Sequence, residues 1–216
     1  MKKYIAYLVI FILAVSFLVN YTKDDSREIP NIEEPEQYDL SIKQKNDLKI
    51  VKDIGDWKIL YIPLAHYKIT ARVLASTSYI YGLDAVVAPH DIGVAWGKLK
   101  EDNEYTKIRC HHEYRKIVYY QPADYDGYYT QTHIGNIHLI PKNNEILKKI
   151  KKLRRGDIVY LTGYLVRAEG LNMKTNEQYE RQSSLTRADT GNGACESMYV
   201  TDIIYHHKKL FNKKTK

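Results

Sequence analysis

The sequence predicts a mostly β chain with some helix (β+α). The expected domain is a small antiparallel barrel or sandwich-like fold with peripheral helices, preceded by an N-terminal membrane segment. Three observations predict it. Apolar and polar residues alternate along several stretches, which is the period of a half-buried strand. One stretch carries a clear helical stripe. Tyrosine outnumbers phenylalanine twenty to three, and tyrosine favours pleated, half-buried surfaces. With 216 residues, 44% of them apolar, the chain is long enough for one domain with its own core.

The first element is the membrane segment. The chain opens Met1-Lys2-Lys3 and continues as an apolar run from Tyr4 to Val19. Two lysines before such a run mark an export signal or a membrane anchor. The run falls short of the ~20 apolar residues a full span usually needs, and Tyr21 can extend it. Ala14-Val15-Ser16 has the small residues of a cleavage site but lies inside the run. No cysteine directly follows as a lipid acceptor. Residues 1–22 are therefore expected as an uncleaved signal anchor, with a cleaved signal peptide as the alternative. Lys2 and Lys3 stay cytoplasmic. The protein is then exported and bound to the cytoplasmic membrane through residues 4–19, with its domain on the extracytoplasmic side.

Residues 23–54 are polar and acid-rich, with Pro30 and Pro35, and read as a tether. Asp47 to Lys52 can add a short strand. The β-rich domain is expected over 55–206 and a basic tail over 207–216. Within the domain, Tyr67, Ile69, Ala71, Val73 and Ala75 alternate with polar residues as a half-buried strand. Residues 79–99 carry Gly82, Pro89, Gly93 and Gly97 and read as short elements joined by turns, with Trp96 as a core anchor. A strand over 105–120 and a loop over 121–132 follow, the loop marked by Pro122, Asp124, Asp126 and Gly127. Residues 134–140 alternate weakly and end at Pro141.

Lys142 to Arg155 is the clearest helix. Asn143 or Asn144 can cap it, and Ile146, Leu147, Ile150 and Leu153 form its stripe. Gly156 stops it. Ile158–Val166 is a strongly apolar strand, and Met198–Tyr205 closes the domain.

The net charge of +7 is uneven. One basic cluster holds Lys148, Lys149, Lys151, Lys152, Arg154 and Arg155. A second holds Lys208, Lys209, Lys213, Lys214 and Lys216. On an exported protein the expected partner of such clusters is anionic lipid or an envelope polymer, not nucleic acid. A solvated helix face and a frayed tail would need no partner at all. The sequence leaves the oligomeric state open.

The segment Ser183–Glu196 concentrates chemistry. It packs Arg187, Asp189, Cys195 and Glu196 around Gly191 and Gly193. A thiolate nucleophile needs a base or a cation to lower its pKa. His138 or His133 can be that base, and Asn136 shares a strand face with His138. Arg187 can stabilise a thiolate or an oxyanion. The competing role for Cys195 is a disulfide to Cys110, closing a loop of about 85 residues worth about 4–5 kcal/mol. No cofactor and no metal site is expected. Neither His-Glu-x-x-His nor Cys-x-x-Cys is present, and adjacent histidines such as His111-His112 point to opposite strand faces. Asp189, His138 and Cys195 are the set that could converge on zinc. Thr190-Gly191-Asn192-Gly193 lacks the Lys-Ser/Thr of a phosphate-binding P-loop, though with Arg187 it can form an anion nest.

The N-terminal anchor, the His138-to-Cys195 spacing and Leu185-Thr186 upstream of the cysteine resemble the sortases. These are membrane-anchored β-barrel cysteine transpeptidases of bacterial surfaces. The resemblance implies Cys195 as nucleophile and His138 or His133 as base, although here the arginine precedes the cysteine instead of following it.

A second resemblance spans most of 57–200. It runs through Trp57, Pro63-Leu64-Ala65, Pro89-His90-Asp91, Ala95-Trp96-Gly97, Asn136–Pro141, Gly156–Val159 and Ser183–Arg187. It is to an uncharacterised group of membrane-anchored or exported bacterial proteins. It implies that Arg115, His138, Arg187, Asp189 and Cys195 belong to one design. The stretch Gly156–Val166 also resembles the barrel strands of OB-like binding domains.

Two functions follow as expectations. One is a cysteine-dependent, sortase-like acyl transferase or hydrolase using Cys195, His138 and Arg187. The other is a non-catalytic envelope binding or assembly module with an OB-like barrel and a Cys110–Cys195 disulfide. Arg115, Asn136, Asp189 and Glu196 are the binding residues expected beside the site.

Overall fold

A computed structural model describes residues 4–12, 25–186 and 195–208. In chain order its elements begin with β1 (Glu36–Asp39), α1 (Ile42–Asp47), β2 (Ile50–Ile54), β3 (Trp57–Ser78), α2 (Leu83–Val87) and β4 (His90–Ala95). A 3-10 turn (Gly97–Lys100) and α3 (Asp102–Tyr105) lead into β5 (Arg109–Glu113), β6 (Lys116–Tyr120) and α4 (Gly127–Thr132). The last elements are β7 (Ile134–Pro141), α5 (Asn144–Ile150), β8 (Ile158–Asn172), β9 (Gln178–Gln182) and β10 (Glu196–His206). The chain is thus mostly β, with short helices at the periphery.

Eight strands form one large sheet, and β5–β6 form a separate hairpin. The sheet is mixed, which corrects the antiparallel expectation: β10 runs parallel to β7, while its other neighbour, β8, is antiparallel. The chain goes out along β8 and back along β9 before β10 returns beside β7, and a parallel partner needs such a long connection. Ladder pairings run β3 to β4, β4 to β7, β7 to β10, β10 to β8, and β8 back to β3.

Strand β3 makes that return possible. Its Trp57–Arg72 part pairs with β8, and its Arg72–Ser78 part pairs with β4. A register shift between Pro63 and Ala65 changes which face its odd-numbered residues occupy. Before it, Ile59 and Tyr61 pack with Val166, Ala168, Ile140 and Tyr199. After it, Tyr67, Ile69, Ala71 and Val73 face the main core of Ile92, Val94, Ile137, Leu139, Leu161, Met198 and Val200.

The expected polar tether is not loose over 25–54. β1 and β2 both pair with β3. Arg27 bonds Asp202 at 2.6 Å, and the Asp25 N–H donates to the Tyr205 carbonyl at 3.2 Å. Glu34 accepts from the Trp96 indole at 3.1 Å. The acids and prolines of this stretch reflect an edge strand and ion pairs, which sequence composition does not distinguish from solvated linker.

The expected helix over 142–155 is shorter, at Asn144–Ile150, with turns beyond it. Asn143 caps it by accepting from the Ile146 N–H, and Ile146 and Ile150 are buried. The expected strand over 105–120 is instead the end of α3 followed by the β5–β6 hairpin. Its turn residues, Tyr114 and Arg115, have φ of 46° and 62°. Such a turn ordinarily selects Asn or Gly, so it carries no sequence signal here. The expected loop over 121–132 contains α4, capped by Asp126.

Residues 4–12 are helical, and the rest of the expected anchor, 13–22, lies outside the described residues. Among the described residues no helix is long and apolar enough to cross a membrane. Residues 209–216 of the basic tail also lie outside them.

Candidate functional site

The side of β4, β7 and β10 opposite the main core carries an unusual set of polar groups. Ladder register explains how they meet. Thr77 on β3 pairs with Asp91 on β4, Asp91 with His138 on β7, and His138 with Ser197 on β10. Paired residues share a sheet face, so the four side chains form one row across four strands. The next row holds Gly93, paired with Asn136, and Cys195 beside them.

Asp91 is the hub. Its carboxylate accepts from His138 Nδ1 at 2.8 Å and from Arg115 Nη2 and Nε at 2.6 and 3.1 Å. Burial works against the charge, but the hydrogen bonds and charges of His138 and Arg115 outweigh it and hold this carboxyl below its ordinary range. Arg115 also donates to the Ala88 carbonyl at 2.7 Å and lies 4.3 Å over the Tyr79 ring.

Bonding to an ionised Asp91 puts the His138 proton on Nδ1 and leaves Nε2 with its lone pair. Burial pushes the His138 pKa down against the pull of Asp91, so the ring is neutral near pH 7. His138 is 0% exposed and Ser197 is 1% exposed. His138 Nε2 and Ser197 Oγ are both buried without a hydrogen-bond partner. Such groups are rare, because each forfeits its hydration without replacement.

The β5–β6 hairpin roofs part of this face. His112 bridges Thr77 Oγ1 at 2.9 Å and Asn136 Oδ1 at 2.9 Å. Asn136 Nδ2 donates to the Arg115 carbonyl at 2.9 Å and to Cys195 Sγ at 3.4 Å. Gly93 lets the roof come close: a Cβ there would stand 2.6 Å from Ile117 Cδ1 and 3.2 Å from Cys110 Sγ.

The structure therefore brings His138, Asn136, Arg115 and Cys195 to one face. Three expected placements differ. His133 is stacked on Tyr129 at 3.7 Å and bonded to Glu34 at 3.0 Å, away from Cys195. Glu196 points to the opposite side of β10, beside Gly135 and Trp96, because adjacent strand residues alternate faces. The Cys110–Cys195 disulfide is absent: both thiols are free. Cys110 Sγ rests against Gly93 on the hairpin side, and Cys195 Sγ is held by the Asn136 amide. Burial pushes the Cys110 thiol up to about 12 and raises Cys195 as well, with only the Asn136 bond and the Arg181 charge opposing it there. Arg187 and Asp189 lie outside the described residues.

Sequence reading missed Asp91, Ser197, His112 and Thr77 as site members. Ser197 was reachable, because a strand starting at Cys195 puts residues 195 and 197 on one face. Among the described residues no group of three His, Cys, Asp or Glu side chains is placed to hold a metal. Two clefts lie elsewhere, one of about 570 Å³ around Leu60 and Tyr179 and one of about 430 Å³ beside Tyr125 and Tyr129. None of their lining residues has a buried unpaired polar atom. Scans against protein-family models, curated proteins and solved structures find no match to the chain.

A neighbouring histidine makes stability pH-dependent. His90 sits between Ser76 Oγ and Ser78 Oγ, both at 2.8 Å. Burial lowers its pKa to about 4. Below about pH 6.5 the unfolded chain binds a proton that the folded chain refuses, so stability falls with pH down to the folded pKa. His90 alone is expected to remove about 3 kcal/mol between pH 7 and pH 4. His112 and His138, also shifted down by burial, act in the same direction. Urea unfolding free energies across this range check it, and His90→Asn should flatten the profile. An equally steep profile in the variant rules His90 out.

Proposed function

We propose that this is a cell-envelope protein, held at the membrane through residues 4–19, whose barrel of OB type carries a hydrolytic or acyl-transfer centre with His138 as general base. The barrel reading is supported by the closed path of pairings through β3, β4, β7, β10 and β8, with α5 in the connection from β7 to β8. In OB barrels the face of the second and third strands binds ligands, and those strands correspond to β4 and β7. The observation that carries the catalytic reading is the Asp91–His138 pair with a buried, unpartnered Nε2 on that face. Cys195 on the same face is the first candidate nucleophile.

Membrane attachment is compatible with the position of Asp25. It bonds Lys149 of α5 at 3.1 Å, so the anchored chain enters the domain beside the exposed Lys148 and Lys151. We read these lysines as the contacts to anionic lipid.

The test is hydrolysis of p-nitrophenyl acetate by the full chain in detergent micelles. Turnover above the buffer rate is expected, falling about a hundredfold in His138→Gln and staying intact in Arg109→Ala, on the outer hairpin. Turnover that survives His138→Gln, or none at all, removes the catalytic reading.

A second reading is favoured by one observation. The Cys195 thiol is raised by burial, opposite to an activated nucleophile. This fits a non-catalytic binding barrel in which Cys195 only packs, without the disulfide once expected for it.

A further inference from the structure

We propose that Ser197, not Cys195, is the nucleophile of this centre, acting with His138 and Asp91 as a Ser–His–Asp relay on carboxylic esters. The inference rests on the hydrolytic reading above and names its reacting group.

Register carries it. Asp91, His138 and Ser197 are consecutive partners across three adjacent strands. Neighbouring strands lie about 4.8 Å apart, so one imidazole bridges from the first strand toward the third. The two nitrogens of an imidazole point in nearly opposite directions. With Nδ1 fixed on Asp91 at 2.8 Å, on the β4 side, Nε2 lies on the side of the ring away from that bond. The residue paired with His138 on β10 is Ser197; its Oγ and Nε2 are both buried and neither bonds the other, so proton transfer requires the Ser197 hydroxyl to turn toward Nε2.

Cys195 is placed differently. It lies one row away, beside Asn136, and its sulfur already accepts from that amide. The backbone at Ser197 is also fixed, because its N–H donates to Ser183 Oγ at 3.0 Å.

The chemistry balances without a cofactor. Ser197 Oγ bonds to the acyl carbon while its proton passes to His138 Nε2. The ester C–O bond breaks, and the departing alkoxide takes that proton from Nε2. Water then attacks the acyl-serine and gives a proton to Nε2. Nε2 returns it to Ser197 Oγ as the acid leaves. Asp91 touches no substrate; it is a positioning residue that sets the His138 tautomer and steadies the imidazolium. Ser197 is almost wholly covered, so the acyl group reaches it only when the cover over this row opens.

An alkyl fluorophosphonate tests the assignment. The full chain in detergent micelles is labelled and the adduct located by peptide mass spectrometry. The expected result is an adduct on Ser197, formed about a hundredfold more slowly in His138→Gln and at the parental rate in Arg109→Ala. In the parent protein the labelling rate should also fall with acid, following a group that titrates below about pH 6.5. That pH profile keeps the test decisive if His138→Gln does not fold. Absence of label on Ser197, or a pH-independent rate, overturns the proposal. Ester turnover that needs His138 while the adduct sits on Cys195 removes Ser197 alone and leaves the centre standing. Absence of both turnover and adduct removes the centre as well.

Discussion

Asp91→Ala is expected to cost about 3–5 kcal/mol of folding stability, because it strands the buried partner of an ion pair. Asp91 is 0% exposed and takes three hydrogen bonds from two side chains. Its removal leaves the Arg115 guanidinium, whose side chain is 13% exposed, facing a void with no counter-charge. The His138 Nδ1–H loses its acceptor at the same time. The hairpin carrying Arg115 should loosen first, because Arg115 ties it to β4 through Asp91 and the Ala88 carbonyl. Urea unfolding measures the loss, and hydrogen exchange in 109–120 locates it. Asp91→Asn, which keeps an acceptor of the same shape, should cost clearly less than Asp91→Ala. A loss below about 1 kcal/mol for Asp91→Ala would mean that the pair adds no more than a surface contact does.

Gly163→Ala should be the most damaging change of a single methyl group. A Cβ at Gly163 would stand 2.0 Å from the Tyr199 carbonyl oxygen and 3.0 Å from its carbon. Both are backbone atoms, so no side chain can turn aside. Gly163 lies opposite Val200, where the β8–β10 register shifts before Asp202, and the irregular strand leans onto β8 at that point. Relief requires β10 to move away from β8, and β10 also carries Ser197. Overpacking of this kind costs about 3 kcal/mol or more. For a domain of this size that is about 6–12 °C in Tm. A drop smaller than about 3 °C would show that the two strands separate without penalty.

Much of the domain was legible from periodicity. The alternation from Tyr67 to Ala75, the apolar run of Ile158–Val166 and the cap at Asn143 depend on neighbours a few residues apart, and local pattern reports those. The β5–β6 turn was not legible, since Tyr114 and Arg115 hold positive φ without the Asn or Gly that usually announces it. The pairing of residues 25–54 with the domain was not legible for a different reason. An edge strand and its ion pairs have the composition of a linker, and only the partners Asp202, Lys149 and Lys68 reveal the difference.

The sequence by itself determined that His138 and Asn136 share a strand face, that a strand over Met198–Tyr205 follows Cys195, and that Arg115 is available. Local alternation is enough for each of these. Only the tertiary structure decided who meets whom. Asp91 and Ser197 join His138 because β4 and β10 flank β7, one antiparallel and one parallel. His133 and Glu196 drop out through a contact with Glu34 and through strand alternation. Strand order and register arise from contacts dozens of residues apart, between Asp91 and His138 and between His138 and Ser197. A shift of one residue in either ladder would turn the paired side chain to the other face of the sheet.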